Sequence, residues 1–228
     1  MSVLVLGAGR SGTNMALEIL SGHPFLKATI IPEDKRFFER QKTYPDNYLT
    51  KCDTCYVKDI TELHGTIGRN PNLAIILTIR DPRDMLMSKL RRGVTEKEGG
   101  DCKQLADDAT PEGAIKDMSH MDYVFDMICR SYPDRIMLVK MEDMILNTQK
   151  TVKDMCDFLG LDFYYEMLTF YKRMRNSKKK NRYKGIDKSQ VEMWKKWETA
   201  YCGWLKEKYP ALEMYFIKLK PYAEKYRY

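Results

Sequence analysis

Short apolar runs recur along the chain at residues 2–6, 27–31, 54–57, 73–79 and 135–141. Each is rich in β-branched residues and too short for a free-standing helix, so each reads as a strand buried on both faces. Helical patterns lie between them, at residues 12–21, 60–69, 82–91 and 114–131. The alternation predicts an α/β fold, a doubly wound parallel sheet flanked by helices, with ligands at the carboxyl ends of the strands. Beyond residue 141 the pattern turns helical, over 148–159 with Asn147 as N-cap and Gly160 as the closing glycine, then 162–173, then 188–208. Two long polar stretches, 93–113 and 176–185, read as lids or binding loops. No repeat and no boundary is visible, so residues 1–228 are expected to form a single domain.

Composition narrows this picture. With 228 residues, 43% apolar and 31% charged, the chain suits one soluble globular unit with a sizeable core. No stretch approaches 18 apolar residues, and the first strand follows Met1 directly, leaving no room for a signal peptide or anchor; the expected location is cytoplasmic. Six scattered cysteines fit reduced thiols. Cys52-Asp53-Thr54-Cys55 is a lone CxxC, read as two ordinary cysteines at the start of a strand rather than as a zinc or redox site. The net charge of +7 concentrates in residues 172–184, which suits an anionic ligand or an ordinary solvated loop.

Chemistry concentrates in two segments. Gly7-Ala8-Gly9-Arg10-Ser11-Gly12-Thr13-Asn14 follows the first strand and opens a helix, a geometry that aims N–H groups and the positive helix end at an anion. Arg80-Asp81-Pro82-Arg83-Asp84, with Ser88 eight residues after Arg80, follows another strand and offers a second anion site. The first segment satisfies G-x-G-x-x-G, and Glu33 lies where a ribose-binding acid belongs, which admits an NAD(P)-dependent oxidoreductase. A nucleotide hydrolase loop fits worse, because Thr13 stands where its lysine is required. The third reading makes Arg10-Ser11-Gly12-Thr13 the cradle of a 5′-phosphosulfate.

On these residues the chain resembles the sulfotransferases that use 3′-phosphoadenosine-5′-phosphosulfate (PAPS). Their first loop reads [K/R]-S-G-T, and their second motif sets a serine eight residues after an arginine. Val139-Lys140-Met141-Glu142-Asp143-Met144, Cys156-Asp157-Phe158-Leu159-Gly160-Leu161 and Lys184-Gly185 ahead of Trp194 match later elements in the family's order. The resemblance implies a P-loop-like sulfotransferase fold with a helical C-terminal part. It implies that Arg10, Ser11, Gly12, Thr13 and Asn14 hold the 5′-phosphosulfate, and that Arg80, Ser88, Lys184 and Gly185 hold the 3′-phosphate. The chain departs from the pattern where many members have an adenine-contacting tyrosine, which here is Met141. It also lacks the histidine of the K-T-H element, the equivalent strand end reading Tyr56-Val57-Lys58-Asp59. This places it nearer the carbohydrate and protein-tyrosine branches than the cytosolic phenol and steroid branch.

Sulfuryl transfer needs an in-line nucleophile, a base and positive charge on the leaving phosphate, and no metal. Arg10 and the loop amides would stabilise that charge, with Lys58 at a strand end as a second cation. Glu33, after the His23-Pro24 pair, is the expected base, with Asp34 and Asp59 as alternatives. His23 itself reads as a helix stop, Arg83 as solvent-facing, and Trp194, Trp197 and Trp204 as packing residues. Lys178, Lys179 and Lys180 would steer an anion or remain a solvated loop. The expected product is 3′-phosphoadenosine-5′-phosphate (PAP), and the acceptor a hydroxyl or amine of a small molecule, carbohydrate or peptide. No nucleic acid or membrane partner is expected. A nucleotide-binding protein that has lost its base would show the same motifs.

Overall fold

In β1 (Ser2–Gly7) every residue is buried. A strand apolar on both faces has to lie inside a sheet, and β1 pairs in parallel with β3 (Tyr48–Asp53) and with β4 (Leu73–Ile79). β2 (Lys27–Ala28) extends the sheet beyond β3, and β5 (Ile136–Lys140) extends it beyond β4. The order β2-β3-β1-β4-β5, all parallel, is that of an α/β fold. A dinucleotide-binding sheet sets its second strand beside its first. Here β3 is interposed, which removes the geometric basis for a ribose ligand after β2. The computed structural model of the chain describes residues 1–29, 37–38, 43–97, 110–173, 186–196, 207 and 209–228.

Among the described residues the helices are α1 (Thr13–Leu20), α2 (Ile60–Arg69), α3 (Pro82–Lys97), α4 (Pro111–Ser131), α5 (Met141–Leu146), α6 (Thr148–Leu159), α7 (Phe170–Arg173) and α8 (Leu212–Lys225). The chain divides into two compact units, one of Met1–Ile79 and Tyr123–Lys188, the other of Arg80–Asp122 and Ser189–Tyr228. Each is discontinuous in sequence, and α4 runs from one into the other, so no linker composition marks the division.

The first unit holds the whole sheet. α1 packs on β1 and β3 and ends at Leu20; in the turn that follows, the His23 N–H donates to the Leu20 carbonyl at 3.0 Å while its Nδ1 accepts from the Phe25 N–H at 3.2 Å. The ring stands edge-on to Tyr164, and burial lowers its pKa against the opposing pull of Asp162. The helix stops at Leu20, before His23, which belongs to the turn that follows rather than being the stop itself. Asp59 caps α2 by accepting from the Thr61 N–H at 2.8 Å. Gly160 closes α6 in the left-handed region. Asn147 occupies the cap position of α6, but its amide turns to Asp143 at 3.4 Å and caps nothing.

Several elements differ from the sequence expectation. The third strand lies at Tyr48–Asp53 rather than 54–57, and Thr54–Tyr56 is a 3₁₀ turn capped by Asp53. Thr50 and Lys51 are buried within that strand, so its polar residues disguised it. The CxxC therefore sits at the end of a strand, with Cys52 buried and Cys55 exposed. The expected helix 162–173 is an extended stretch, a 3₁₀ turn at Tyr165–Thr169 and only then α7; two tyrosines in succession at its start are weak helix formers. In place of a helix from 188 there are 3₁₀ turns at Lys188–Gln190 and Met193–Lys196, separated by Glu192 at φ 56°.

In the second unit α3 packs against α8 and the Met193–Lys196 turn. Arg83 is not solvent-facing. It forms a fork onto Asp81 (2.9 and 2.7 Å) and stacks 3.8 Å from the centroid of Trp194, which meets Phe216 edge-on. Lys89 pairs with Asp117, and Lys225 with Asp122 at 2.6 Å.

Candidate active site

β1 delivers the chain at Gly7 into the loop 8–12. A β-carbon on Gly7 would stand 2.3 Å from Thr78 Oγ1, 2.5 Å from Ser11 Oγ and 2.7 Å from the Thr78 carbonyl oxygen. Glycine is therefore what lets the loop fold back onto β4. There the Ser11 and Thr78 hydroxyls lie 2.9 Å apart, and Thr78 also reaches the Leu6 carbonyl at 3.4 Å. Ser11 is fully buried and its N–H closes a turn onto the Ala8 carbonyl at 3.1 Å. Both its polar groups are used internally, so Ser11 shapes the loop.

On either side of Ser11 the backbone is left-handed, Arg10 at φ 75° and Gly12 at φ 103°. Left-handed residues in such a turn direct successive N–H groups into one concavity, and an arginine held there is a strained residue of the kind that marks ligand clamps. The first bond inside α1 runs from the Ala16 N–H to the Gly12 carbonyl at 3.0 Å, so the N–H groups of Thr13, Asn14 and Met15 have no acceptor within the helix. No side chain caps this end, and its first turn holds no acidic residue. Most helix starts supply their own anion-like oxygen. This one presents its N–H groups and positive dipole end beside Arg10, which suits an external phosphate or sulfate. Met141 and Met144 floor the loop: a β-carbon on Gly12 would come within 3.1 and 3.0 Å of them. Met141, which stands where many members have an adenine-contacting tyrosine, is thus buried against the loop backbone.

At the carboxyl edge of the sheet Asp53 pairs in register with Gly7. Its Oδ1 accepts from the Cys55 N–H at 3.1 Å, and its Oδ2 lies 3.0 Å from where a β-carbon on Gly9 would stand. Lys58, expected at a strand end, lies beyond the 3₁₀ turn and is exposed; the strand-end position belongs to Asp53. Asp59 serves as a helix cap, and the hydrogen bonds from Thr61 lower its pKa.

In the other unit, Arg80 follows β4 directly. Arg80, Asp84 and Ser88 recur every four residues and are 2%, 0% and 4% exposed, a buried polar stripe at helical spacing. One Arg80 nitrogen donates to the Gln190 carbonyl and lies 3.4 Å from Met193 Sδ. Asp84 Oδ1 accepts the Trp194 N–H at 2.8 Å. Glu33, Asp34, Lys178, Lys179, Lys180, Lys184, Gly185, Trp197 and Trp204 lie outside the described residues. Among the described residues no group of His, Cys, Asp and Glu is placed to hold a metal ion, and no helix is long and apolar enough to cross a membrane.

A family model described as the sulfotransferase domain matches residues 1–200. The chain belongs to the sulfotransferase family. Solved structures share the fold of this sulfotransferase. A sulfotransferase domain from the curacin biosynthetic pathway is 18% identical with a TM-score of 0.69, covering 100% of this chain and 97% of its own. The sulfotransferase domain of the Synechococcus PCC 7002 olefin synthase is 18% identical, with a TM-score of 0.66 over 100% and 94%. Mouse sulfotransferase SULT7A1, solved with PAP, is 18% identical, with a TM-score of 0.59 over 98% and 88%. No curated protein matches the sulfotransferase by sequence. Neither the sheet order nor the family match favours the oxidoreductase alternative.

Proposed function

We propose that this sulfotransferase moves the sulfuryl group of PAPS to a hydroxyl or amine of an acceptor and releases PAP. The observation that carries the reading is the uncapped start of α1, entered through left-handed Arg10 and Gly12 with Ser11 fastened to Thr78. Arg10 and the N–H groups from Gly12 to Asn14 receive the 5′-phosphosulfate and stabilise charge on the leaving phosphate. Arg80 and Ser88, with Lys184 and Gly185, hold the 3′-phosphate. For Arg80 this exchanges a carbonyl and a thioether for a charged acceptor, a stronger partner for a guanidinium. A carboxylate takes the acceptor's proton, and Glu33 is the candidate that the sequence offers. The corrected strand end, Lys51-Cys52-Asp53, carries no histidine either, which favours a carbohydrate or peptide acceptor over a phenol. The reaction is assigned to the cytoplasm.

Calorimetric titration with PAP, beside adenosine 5′-phosphate and NAD, tests the reading. Micromolar binding of PAP is expected, with Arg80→Ala weakening PAP about 10- to 100-fold, the loss of one charged hydrogen bond of about 1.5–3 kcal/mol, and sparing adenosine 5′-phosphate. Preference for NAD, or no binding of PAP, refutes it.

A further inference from the structure

We infer that Thr78 is a positioning residue for the donor: through the Ser11 hydroxyl it holds the anion loop in the shape that receives the 5′-phosphate. The inference rests on the sulfuryl-transfer reading and names what keeps the loop of that reading in place. Thr78 is the only polar residue of β4, Leu73–Ile79, and it is fully buried. Valine fills the same volume with no hydroxyl to desolvate, so a threonine in this run needs hydrogen bonds to offset its burial. It has them, with Ser11 at 2.9 Å and with the Leu6 carbonyl at 3.4 Å. A threonine hydroxyl carries one proton, and a carbonyl can only accept. With Thr78 donating to Leu6, Ser11 donates to Thr78, and the relay runs from the loop back into the strand that leads to it. The proton of Ser11 is thus committed to the sheet.

The loop needs such a fastening. Ser11 lies between Arg10 and Gly12, both left-handed, and a left-handed arginine persists only where its surroundings over-determine it. The bond from the Ser11 N–H to the Ala8 carbonyl lies within the loop and moves with it. The bond to Thr78 instead reaches a strand paired on both sides, at the residue in register with Gly7. Branching at the β-carbon leaves Thr78 few rotamers, so its oxygen is a fixed point. Arg10 and the N–H groups at the start of α1 are aimed at the 5′ group from that point, and a displacement of about 1 Å costs on the order of 10²-fold.

Thr78→Ala and Thr78→Ser both lose the methyl group, so the difference between them isolates the oxygen. Each variant of the full chain, together with Ser11→Ala and the double variant Ser11→Ala/Thr78→Ala, is titrated calorimetrically with PAP and with adenosine 3′-phosphate, which lacks the 5′ group. Thr78→Ala is expected to weaken PAP about 10- to 100-fold and to leave adenosine 3′-phosphate unchanged, and Thr78→Ser to recover most of the loss. Ser11→Ala should repeat the loss, and the double variant should stay within about twofold of the weaker single, because the two hydroxyls act as one unit. If Thr78→Ala does not fold, Ser11→Ala decides by the same pair of nucleotides. Equal weakening of both nucleotides assigns the hydroxyls to stability alone and overturns the inference. So does wild-type affinity for PAP in Thr78→Ala, an equal loss in Thr78→Ser, or losses that add in the double variant. A wild-type chain that does not bind PAP refutes the sulfuryl-transfer reading itself, and that result is in hand before any variant is compared.

Discussion

Replacing Gly7 with alanine tests whether close contact between β1 and β4 fixes the anion loop. The added carbon would sit 2.3 and 2.5 Å from two hydroxyl oxygens and 2.7 Å from the Thr78 carbonyl oxygen, where ordinary contact needs about 3.5 Å. The side chains can rotate away, but the carbonyl belongs to β4, so relief requires the two strands to part. Overpacking costs about 1–3 kcal/mol. Breaking the buried Ser11–Thr78 hydrogen bond costs about 1–3 kcal/mol more. The combined loss of about 2–6 kcal/mol is a large share of a total stability of about 5–15 kcal/mol. In urea unfolding followed by circular dichroism, with a slope of about 2–3 kcal/mol per molar, the midpoint falls by roughly 1–3 M. Gly68→Ala is the control, because nothing lies within 4 Å of its β-carbon position, and at this exposed position of α2 it should stabilise by roughly 0.5–1 kcal/mol. Adding Thr78→Ala to Gly7→Ala should rescue little, since the carbonyl remains. A Gly7→Ala chain within about 1 kcal/mol of wild type, or one restored by Thr78→Ala, refutes the reasoning.

Two further predictions concern the first unit. Burial holds His23 neutral, so its pKa in the fold lies below 6.5 and the unfolded chain takes up the proton first as pH falls. Stability contributed by His23 is therefore present above about pH 6.5 and declines below it toward the folded pKa. His23→Asn, which keeps an acceptor for the Phe25 N–H, should shrink the difference in Tm between pH 7.5 and pH 5 (roughly either side of that value); an unchanged difference refutes this. Arg135 donates to the carbonyls of Ile67, Asn70 and Leu73, tying the end of α2 to the start of β4. Arg135→Ala should cost about 2–4 kcal/mol in chemical denaturation, with Arg135→Lys recovering less than half, because an ammonium lacks the planar fork.

The parts of the fold visible in the sequence are those where one residue type has one physical reason. β1 is apolar on both faces, and α2 and α6 match their expected bounds because a capping aspartate and a closing glycine punctuate them. β3 was misplaced because Thr50 and Lys51 are polar yet buried, and the apolar run after it turned out to be a 3₁₀ turn. That one displacement also hid Asp53, read as the inside of a CxxC when it is the last residue of a strand. α8 escaped notice because Lys218, Lys220 and the internal Pro221 break its apolar spacing. The loop 8–12 was legible as an anion cradle from its glycines, whereas the inward use of Ser11 depends on Thr78, sixty-seven residues away.

The sheet order sets a timetable for synthesis. Among the described strands of the sheet β1 is made before its neighbours, which end at Asp53 and Ile79, and β5 comes later still. At roughly 5–20 residues per second, a strand apolar from Val3 to Leu6 waits on the order of 4–15 s before β4 exists to cover its second edge. Contacts so distant in sequence also slow folding once the chain is complete. Of the described strands, the central one that steadies the anion loop therefore waits longest for its partners on the ribosome, and a chaperone has most reason to hold it.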